Sequence, residues 1–452
     1  MLRVAVVGSG PSGCYTAQNL VQLDPTVVVD VLDRLPCPYG LVRYGVAPDH
    51  EKIKSLQGNL RAVLEHERVR FLGGVRIGDG PGELPVRRLR ELYHAVVYCV
   101  GAAGDRRLGI PGEDLPGSWS ATEFVSWYSA HPDAIDTGFV RDARSAVVIG
   151  VGNVAVDVAR MLTRGVAELS PTDMPQAALT ALAASRIREV HVVGRRGPSQ
   201  ARFTTKELRE LTALPDTEVR VDPAELALDP ACADPAALPP AQRRNVEVLR
   251  GLGEGGARGA ERRIWLRFFL RPVELLADGG RVSGVRFERT EPDGHGGVRG
   301  TGRYETLDAQ LVLRSVGYRG LPLAGLPFDA GTGTVPHAAG RVLHGPGGGR
   351  TGGPGDYVAG WIKRGPTGVI GTNRPDAKET VTSLLADAPL LLDRAVPDDP
   401  VTALRSLGVE PVEWPGWQAI ERAEAALGAR LGRGVVKLAD WDALLTAARS
   451  GA

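Results

Sequence analysis

Two glycine-rich turns, each preceded by a short apolar run, constrain the fold of this chain more than any other feature. Residues 4–7 (VAVV) lead into GSGPSG at residues 8–13, and residues 146–149 (AVVI) lead into GVGNVA at residues 150–155. Glycines allow a tight turn and a close approach of the backbone to a pyrophosphate, which the positive end of the following helix stabilises. Because such runs alternate with helix-length segments, the sequence predicts parallel sheets covered on both faces. The predicted class is α/β, with two Rossmann-like dinucleotide-binding domains.

The bulk properties exclude several classes of protein. The chain has 452 residues, 43% hydrophobic and 24% charged, so we expect two or three folded domains. Its formal net charge of +1 provides no field that would attract nucleic acid or an anionic membrane. No run approaches the ~18 apolar residues of a membrane span, and no signal peptide precedes the first strand, so we expect a cytoplasmic protein. The four cysteines are widely spaced without a C-x-x-C pair, which predicts neither a metal site nor a redox-active disulfide.

An acidic residue follows the first turn at the spacing of a nucleotide site. Gly8, Gly10 and Gly13 form the turn, and a second strand at residues 27–32 ends at Asp33, twenty residues after Gly13. A carboxylate there can accept hydrogen bonds from ribose hydroxyls and would repel a 2′-phosphate. The first site is therefore predicted to hold FAD or NAD. The alternative is a glycine-rich turn in some other α/β protein.

The second turn is followed by the opposite charge. A strand at residues 189–193 ends in Gly194, Arg195 and Arg196, where the first site has its acid. Guanidinium groups at that strand end can hold a 2′-phosphate bidentately, which distinguishes NADP from NAD. NADPH is therefore the predicted ligand, and the alternative is an exposed basic pair at a strand end.

Other segments carry weaker signals. Residues 223–245 are rich in Pro, Ala and Asp and are predicted to form a surface excursion. Residues 345–355 are mostly glycine and are expected to be flexible, without evident chemistry. Residues 417–431 show an amphipathic pattern, followed by VVKL at 435–438, and the tail is predicted to pack against the rest of the chain.

Two further segments resemble signatures of a known family. LVRYGVAPDH at residues 41–50 and GWIKRGPTGVIGTN at residues 360–373 are similar to segments of the adrenodoxin-reductase-type ferredoxin–NADP reductases. Residues 148–160 and 193–210, the latter with GRRGP and FTTKELRE, also resemble that family. The resemblance covers roughly residues 2–380.

The resemblance implies a domain plan. An FAD-binding domain would be built from residues 1–103 and 321–452, the latter including the tail. An NADPH-binding domain, residues 104–320, would be inserted between these two parts.

The resemblance also implies roles for individual residues. At the ADP part of FAD it places Ser12, Asp33, Leu41 and Val75. At the flavin ring it places Trp361, Gly368, Val369 and Ile370, and a helix entered at Gly368 could direct backbone N–H groups at the ring. Around NADPH it places Arg106, Gly152, Asn153, Val154, Arg195, Arg196 and Glu207.

His50 and Glu207 would lie near the nicotinamide and the flavin. Hydride transfer needs no proton abstraction from carbon, so these two residues are expected to position the ring and manage the N5 proton. The alternative for His50 is an ordinary surface histidine. Glu51 stands where proline often follows the histidine, Arg202 where a small residue is usual, and Asp33 where glutamate is more frequent. Arg202 is expected to alter the charge near the nicotinamide.

The expected activity is transfer of a hydride from NADPH to FAD, followed by single-electron transfer to a ferredoxin-type iron–sulfur protein, such as one that feeds a cytochrome P450. The enzyme is expected to be a monomer, and Arg243, Arg244, Arg250, Lys363 and Arg364 are candidates for a basic surface that faces an acidic acceptor. Two alternatives remain open. One is a diaphorase subunit of the glutamate-synthase type, although the chain starts directly at the FAD strand. The other is a non-catalytic sensor of FAD and NADP.

Overall fold

The computed structural model describes residues 1–135, 138–254, 259–345 and 355–451. Most of the glycine-rich segment, residues 346–354, lies outside these ranges. The described strands are β1 Arg3–Val7, β2 Val28–Leu32, β3 Val69–Leu72, β4 Ala95–Tyr98, β5 Gly104–Asp105, β6 Ser118–Ser120, β7 Ser145–Ile149, β8 Glu189–Val193, β9 Thr217–Val221, β10 Arg262–Arg267, β11 Leu270–Asp278, β12 Arg281–Pro292, β13 Val298–Asp308, β14 Leu311–Arg314, β15 Tyr318–Arg319, β16 His337–Ala338, β17 Arg341–Val342 and β18 Asp356–Val358. The described α-helices are α1 Pro11–Leu23, α2 Leu41–Tyr44, α3 Glu51–Lys54, α4 Leu56–Leu64, α5 Val86–Leu92, α6 Ala121–Tyr128, α7 Asn153–Thr163, α8 Val166–Leu169, α9 Gln176–Ala183, α10 Thr205–Thr212, α11 Pro223–Ala227, α12 Pro230–Ala233, α13 Pro240–Glu254, α14 Trp361–Arg364, α15 Asn373–Leu391, α16 Pro400–Ser406, α17 Trp414–Arg430 and α18 Trp441–Arg449.

The chain forms two compact units. The first unit contains Met1–Val46, His50–Arg106 and Gly317–Ala452, and the second contains Ala47–Asp49 and Arg107–Val316. Each unit has its own sheet, as a chain of this length requires.

The first unit is built on a seven-stranded sheet in the order β16-β17-β18-β4-β1-β2-β3. β1 lies inside the sheet, next to the central strand β4, and pairs in parallel with both β2 and β4. Its last four residues are buried, because helices cover both faces of a parallel sheet. β18, from the far end of the chain, pairs in parallel with β4, so this sheet needs both ends of the sequence.

The second unit is built on a six-stranded parallel sheet in the order β6-β14-β7-β8-β10-β9. A three-stranded antiparallel sheet, β11-β12-β13, accompanies it. The strands predicted after each glycine-rich turn, β2 and β8, lie beside the strands that precede the turns. The predicted α/β class with two dinucleotide-binding folds is confirmed.

The segment at residues 223–245 lies mostly at the surface, as predicted, but it is helical and not irregular. It folds into α11, α12, a 3-10 turn and the start of α13. Glu225 is fully buried, and its carboxylate accepts hydrogen bonds from the Arg267 guanidinium at 2.9 Å and the Phe268 N–H at 2.7 Å. Proline starts each helix where its missing N–H is not needed, so a proline-rich composition here marks helix starts and not a loop.

The tail packs on the first unit through α17. Trp417 and Ile420 of this helix are buried in the same core as β1 and β2. The predicted packing role is confirmed. None of the helices in the described ranges combines the length and the hydropathy that a bilayer span requires.

Candidate nucleotide-binding sites

The first glycine turn brings β1 and α1 into very close approach. Gly8 has φ +110°, and its N–H donates to the Leu32 carbonyl at 2.7 Å. A Cβ added to Gly13 would lie 1.8 Å from the Gly8 carbonyl oxygen, so only glycine fits there. The first turn of α1 therefore packs directly against the backbone at Gly8.

The N-terminus of α1 is left open to an anion. Its N-cap is Gly10, which provides no side-chain hydrogen bond, and no acidic residue stands in the first turn. The hydroxyl of Ser12 is buried and has no hydrogen-bond partner within the described residues. Free N–H groups and an unsatisfied hydroxyl at a positive helix end suit a phosphate group.

Asp33 lies at the end of β2, beside the turn. Its Oδ2 accepts hydrogen bonds from the Ser9 N–H at 2.8 Å and the Ser9 hydroxyl at 2.5 Å, while Oδ1 accepts from the Leu35 N–H at 2.9 Å. The N–H of buried Val75 donates to the Asp33 carbonyl at 2.8 Å. The structure thus brings Asp33, Val75 and the glycine turn together.

The segment that contains Leu41 also lies against the first glycine turn. It begins α2 and is 44% exposed. Gly40 before it has φ +48°, and a Cβ there would lie 2.9 Å from the Gly10 Cα. The backbone at Gly40 therefore packs directly against the backbone of the first glycine turn.

The late segment at residues 360–373 contacts the start of α1. A Cβ on Gly360 would lie 2.5 Å from the Ser12 hydroxyl oxygen, and Trp361 stacks on Tyr318 with ring centroids 5.4 Å apart. Gly368 has φ +81°, and exposed Val369 donates its N–H to the Thr372 hydroxyl at 3.1 Å.

The helix predicted to begin at Gly368 begins five residues later. A 3-10 turn, Ile370–Thr372, comes first, and α15 starts at Asn373. The Val369 N–H is taken up by Thr372, so this turn presents fewer free N–H groups than expected.

Lys363 is wrongly predicted to be an exposed cation for a partner. It is 4% exposed, and its ammonium contacts Glu379 at 2.6 Å and Asp376 at 3.2 Å. Arg364 is half-buried and paired with Asp376 at 3.1 Å. These two cations hold α14 against α15, which local sequence could not reveal because Asp376 and Glu379 lie 13 and 16 residues after Lys363.

The second glycine turn repeats the geometry of the first within its own unit. Gly150 has φ +137°, and a Cβ added to it would lie 2.1 Å from the Ser315 carbonyl oxygen. A Cβ on Gly152, the N-cap of α7, would meet nothing within 4 Å, and no acidic residue stands in the first turn of α7. Asn153 accepts the Thr204 N–H on its side-chain oxygen at 2.8 Å. Val154 follows on the first turn of α7 and is half-buried.

The predicted arginines lie at the end of β8. Arg195 is exposed and Arg196 is half-buried. Arg106 belongs to the first unit, where it is exposed and its N–H donates to the Gly317 carbonyl at 2.9 Å.

Glu207 is held by a buried ion network that sequence reasoning missed. Arg160 is 1% exposed and contacts Asp49 at 2.7 Å, Asp157 at 2.8 Å and Glu207 at 3.5 Å. Burial opposes its charge, but these carboxylates outweigh burial and raise the pKa of Arg160. The i,i+3 spacing of Asp157 and Arg160 on α7 was the available signal.

His50 stands beside Asp49 in sequence but belongs to the first unit. It is the N-cap of α3, and its carbonyl accepts the N–H groups of Ile53 and Lys54. His50 and Glu207 therefore belong to different units, and their shared role at the nicotinamide stays a prediction.

The four cysteines, all in the described ranges, are free and buried. Burial raises the pKa of the Cys37 and Cys99 thiols to about 11. Thiols of this kind are poor nucleophiles, which does not favour dithiol chemistry.

Comparison with known proteins identifies the family. The family model for pyridine nucleotide-disulphide oxidoreductases matches residues 2–213, which include both glycine turns. NADPH-ferredoxin reductase FprA of Mycobacterium tuberculosis is 44% identical over 98% of each chain. The mitochondrial NADPH:adrenodoxin oxidoreductase of Arabidopsis thaliana is 40% identical over 99% of this chain and 95% of the plant protein.

The chain belongs to the adrenodoxin-reductase-type family of ferredoxin–NADP reductases. The solved structure of Mycobacterium tuberculosis FprA in complex with NADPH matches this member with a TM-score of 0.91 and 43% identity over 99% of each chain. The resemblance inferred from residues 41–50 and 360–373 is therefore confirmed. The similarity to FprA covers nearly the whole chain, including the tail.

Proposed function

We propose that the protein uses NADPH to reduce a ferredoxin-type iron–sulfur protein, with FAD bound in the first unit and NADPH in the second. The observation that carries this proposal is the opposite charge after two similar turns: Asp33 follows the first turn, and Arg195 and Arg196 follow the second. Relatives named as NADPH-ferredoxin and NADPH:adrenodoxin oxidoreductases support it.

The first site fits FAD. The unsatisfied Ser12 hydroxyl and the uncapped start of α1 offer donors to a pyrophosphate. The Asp33 carboxylate accepts three hydrogen bonds from the protein, and a carboxylate has about four acceptor positions, so one remains for a ribose hydroxyl. Its negative charge disfavours a 2′-phosphate, so the nucleotide without one is selected here.

The second site fits NADPH. Gly152 leaves open space at the start of α7, where a pyrophosphate can approach the N–H groups. Arg195 and Arg196 supply planar donors for the 2′-phosphate. The family supports this ligand, since the related FprA structure is a complex with NADPH.

Ser12 and Asp33 would hold FAD, which would supply the chemistry of hydride uptake from NADPH and of single-electron release. In this proposal Trp361 and the backbone at Gly368 to Ile370 hold the ring, and His50 and Glu207 position the nicotinamide. Arg160 contacts the Glu207 carboxylate at 3.5 Å and helps to hold it in one orientation.

Replacing either Arg195 or Arg196 should weaken the binding of NADPH but not that of NADH. In Arg195→Ala and Arg196→Ala, loss of a charge-assisted contact is expected to weaken NADPH by about 10–100-fold and leave NADH unchanged. The control is Arg186→Ala. Arg186 is exposed and lies three residues before β8, away from the strand end that leads into Arg195 and Arg196. Steady-state KM and Kd for both nucleotides provide the measurement, and equal losses for NADPH and NADH would contradict the assignment.

The activity itself is tested by anaerobic reduction. NADPH should bleach the yellow flavin, and added ferredoxin should raise the rate of cytochrome c reduction. A protein that stays yellow would be a sensor, and a rate that no ferredoxin raises would leave only diaphorase activity. If exposed cations such as Arg244 steer an acidic ferredoxin, the rate should fall with salt.

The finer assignments belong to the same proposal. We propose a cytoplasmic monomer whose iron–sulfur acceptor serves an enzyme such as a cytochrome P450. Four free thiols are in keeping with a reducing compartment. Sedimentation of the holoenzyme tests the oligomeric state.

A further inference from the structure

Arg202 lies against the second glycine turn. Its N–H donates to the carbonyl of Val151, the residue between the two glycines of that turn, at 2.8 Å. Two residues later the Thr204 N–H donates to the Asn153 side chain at 2.8 Å. These two hydrogen bonds fix the segment that carries Arg202 along the turn.

The end of β8 reaches the same place from the other side. A Cβ on Gly194 would lie 3.0 Å from a methyl group of Val151. Arg195 and Arg196 follow Gly194 immediately, so the strand end that carries them and the segment that carries Arg202 both lie against Val151. Burial lowers the pKa of Arg196, and the neighbouring charges of Arg202 and then Arg195 lower it further.

This cluster carries positive charge without a compensating acid. Across the described residues, the guanidinium groups of Arg195, Arg196 and Arg202 make no ion pair, whereas Arg160 and Arg267 in the same unit each pair with carboxylates. Crowded like charges repel one another unless an anion lies between them. A group of this kind is suited to a multiply charged ligand.

We propose that Arg202 is a third cation for the 2′-phosphate of NADPH and sets, with Arg195 and Arg196, the preference for NADPH over NADH. The inference rests on the proposed function. A phosphate monoester has three terminal oxygens and close to two negative charges, so it can accept donors from three guanidinium groups at once. The sequence had suggested an effect at the nicotinamide, but the structure places Arg202 beside the arginines of the strand end.

The test compares Arg202→Ala with the parent holoenzyme. KM for NADPH should rise about tenfold, as for loss of one charge-assisted contact, while KM for NADH and kcat stay constant. As a binding readout apart from turnover, 2′,5′-ADP should inhibit about tenfold less well, and 5′-ADP should inhibit as before. For Arg202→Lys, KM for NADPH should lie between the values of the parent and of Arg202→Ala, and Arg186→Ala should behave as the parent.

Each other outcome identifies what has failed. Equal losses for NADPH and NADH would assign Arg202 to the pyrophosphate and overturn the inference, as would unchanged constants for all ligands. If the parent shows no preference for NADPH, or if Arg195→Ala and Arg196→Ala leave it intact, the proposed function has failed instead.

Discussion

Gly13→Ala is expected to yield a colourless protein. The added methyl group would lie 1.8 Å from the Gly8 carbonyl oxygen, so α1 would have to move away from the turn. Overpacking of this kind costs about 1–3 kcal/mol of folding free energy, and the displaced helix end would no longer meet a pyrophosphate. Flavin absorbance per chain and the melting temperature are the measurements.

The matched control is Gly58→Ala in α4. It makes the same chemical change on the same unit, where a Cβ would meet nothing within 4 Å. Alanine in a helix interior should stabilise the unit by about 0.5–1 kcal/mol, and the flavin should remain. A Gly13→Ala protein that is yellow and melts like the parent would show that α1 tolerates displacement and that the turn is not the flavin site.

Glu424→Ala is expected to destabilise the first unit strongly. Glu424 pairs with Arg43 at 2.5 Å, and both side chains are at most 5% exposed. Burial opposes the charge of Arg43, but Glu424 reverses the effect and raises its pKa. Removing the acid leaves a buried, unpaired cation, which costs about 3–5 kcal/mol. The shift in urea midpoint, followed by tryptophan fluorescence, measures it.

Glu91→Ala is the comparison for an exposed pair. Glu91 contacts Arg88 at 2.7 Å, but both side chains are about half exposed, so a loss below about 0.5 kcal/mol is expected. Glu424→Gln should recover part of the loss, because the amide still accepts the Leu438 N–H. Similar midpoints for Glu424→Ala and Glu91→Ala would mean that water reaches Arg43.

The turns and their strands were predictable because their signals are local. Glycines at fixed spacing, an apolar run before them and a charged residue after the next strand all lie within about 50 residues of each other, and β8 has the predicted bounds. Sequence alone also identified the family through residues 360–373.

What sequence missed depends on contacts between distant residues. The sequence predicts an exposed Lys363, because the acids that pair with it become neighbours only when α14 folds against α15. Glu424 and Arg43 are 381 residues apart, so nothing local marks their pairing. Arg202 was recognised as unusual, but its place beside Arg196 required the turn that brings residues 202–204 back onto Val151.

The interrupted first unit has a consequence for synthesis on the ribosome. Residues 107–316 of the second unit are contiguous and are synthesised together, whereas β4 can pair with β18, and Arg43 with Glu424, only after those distant residues have been made. Domains generally fold as units while the chain is made. The second unit can therefore close around its ligand during translation, but in the first unit the edge of β4 stays unpaired until β18 is made, and Arg43 stays unpaired until Glu424 is made. Flavin is therefore expected to bind only after residues 356–358, which form β18, have been made.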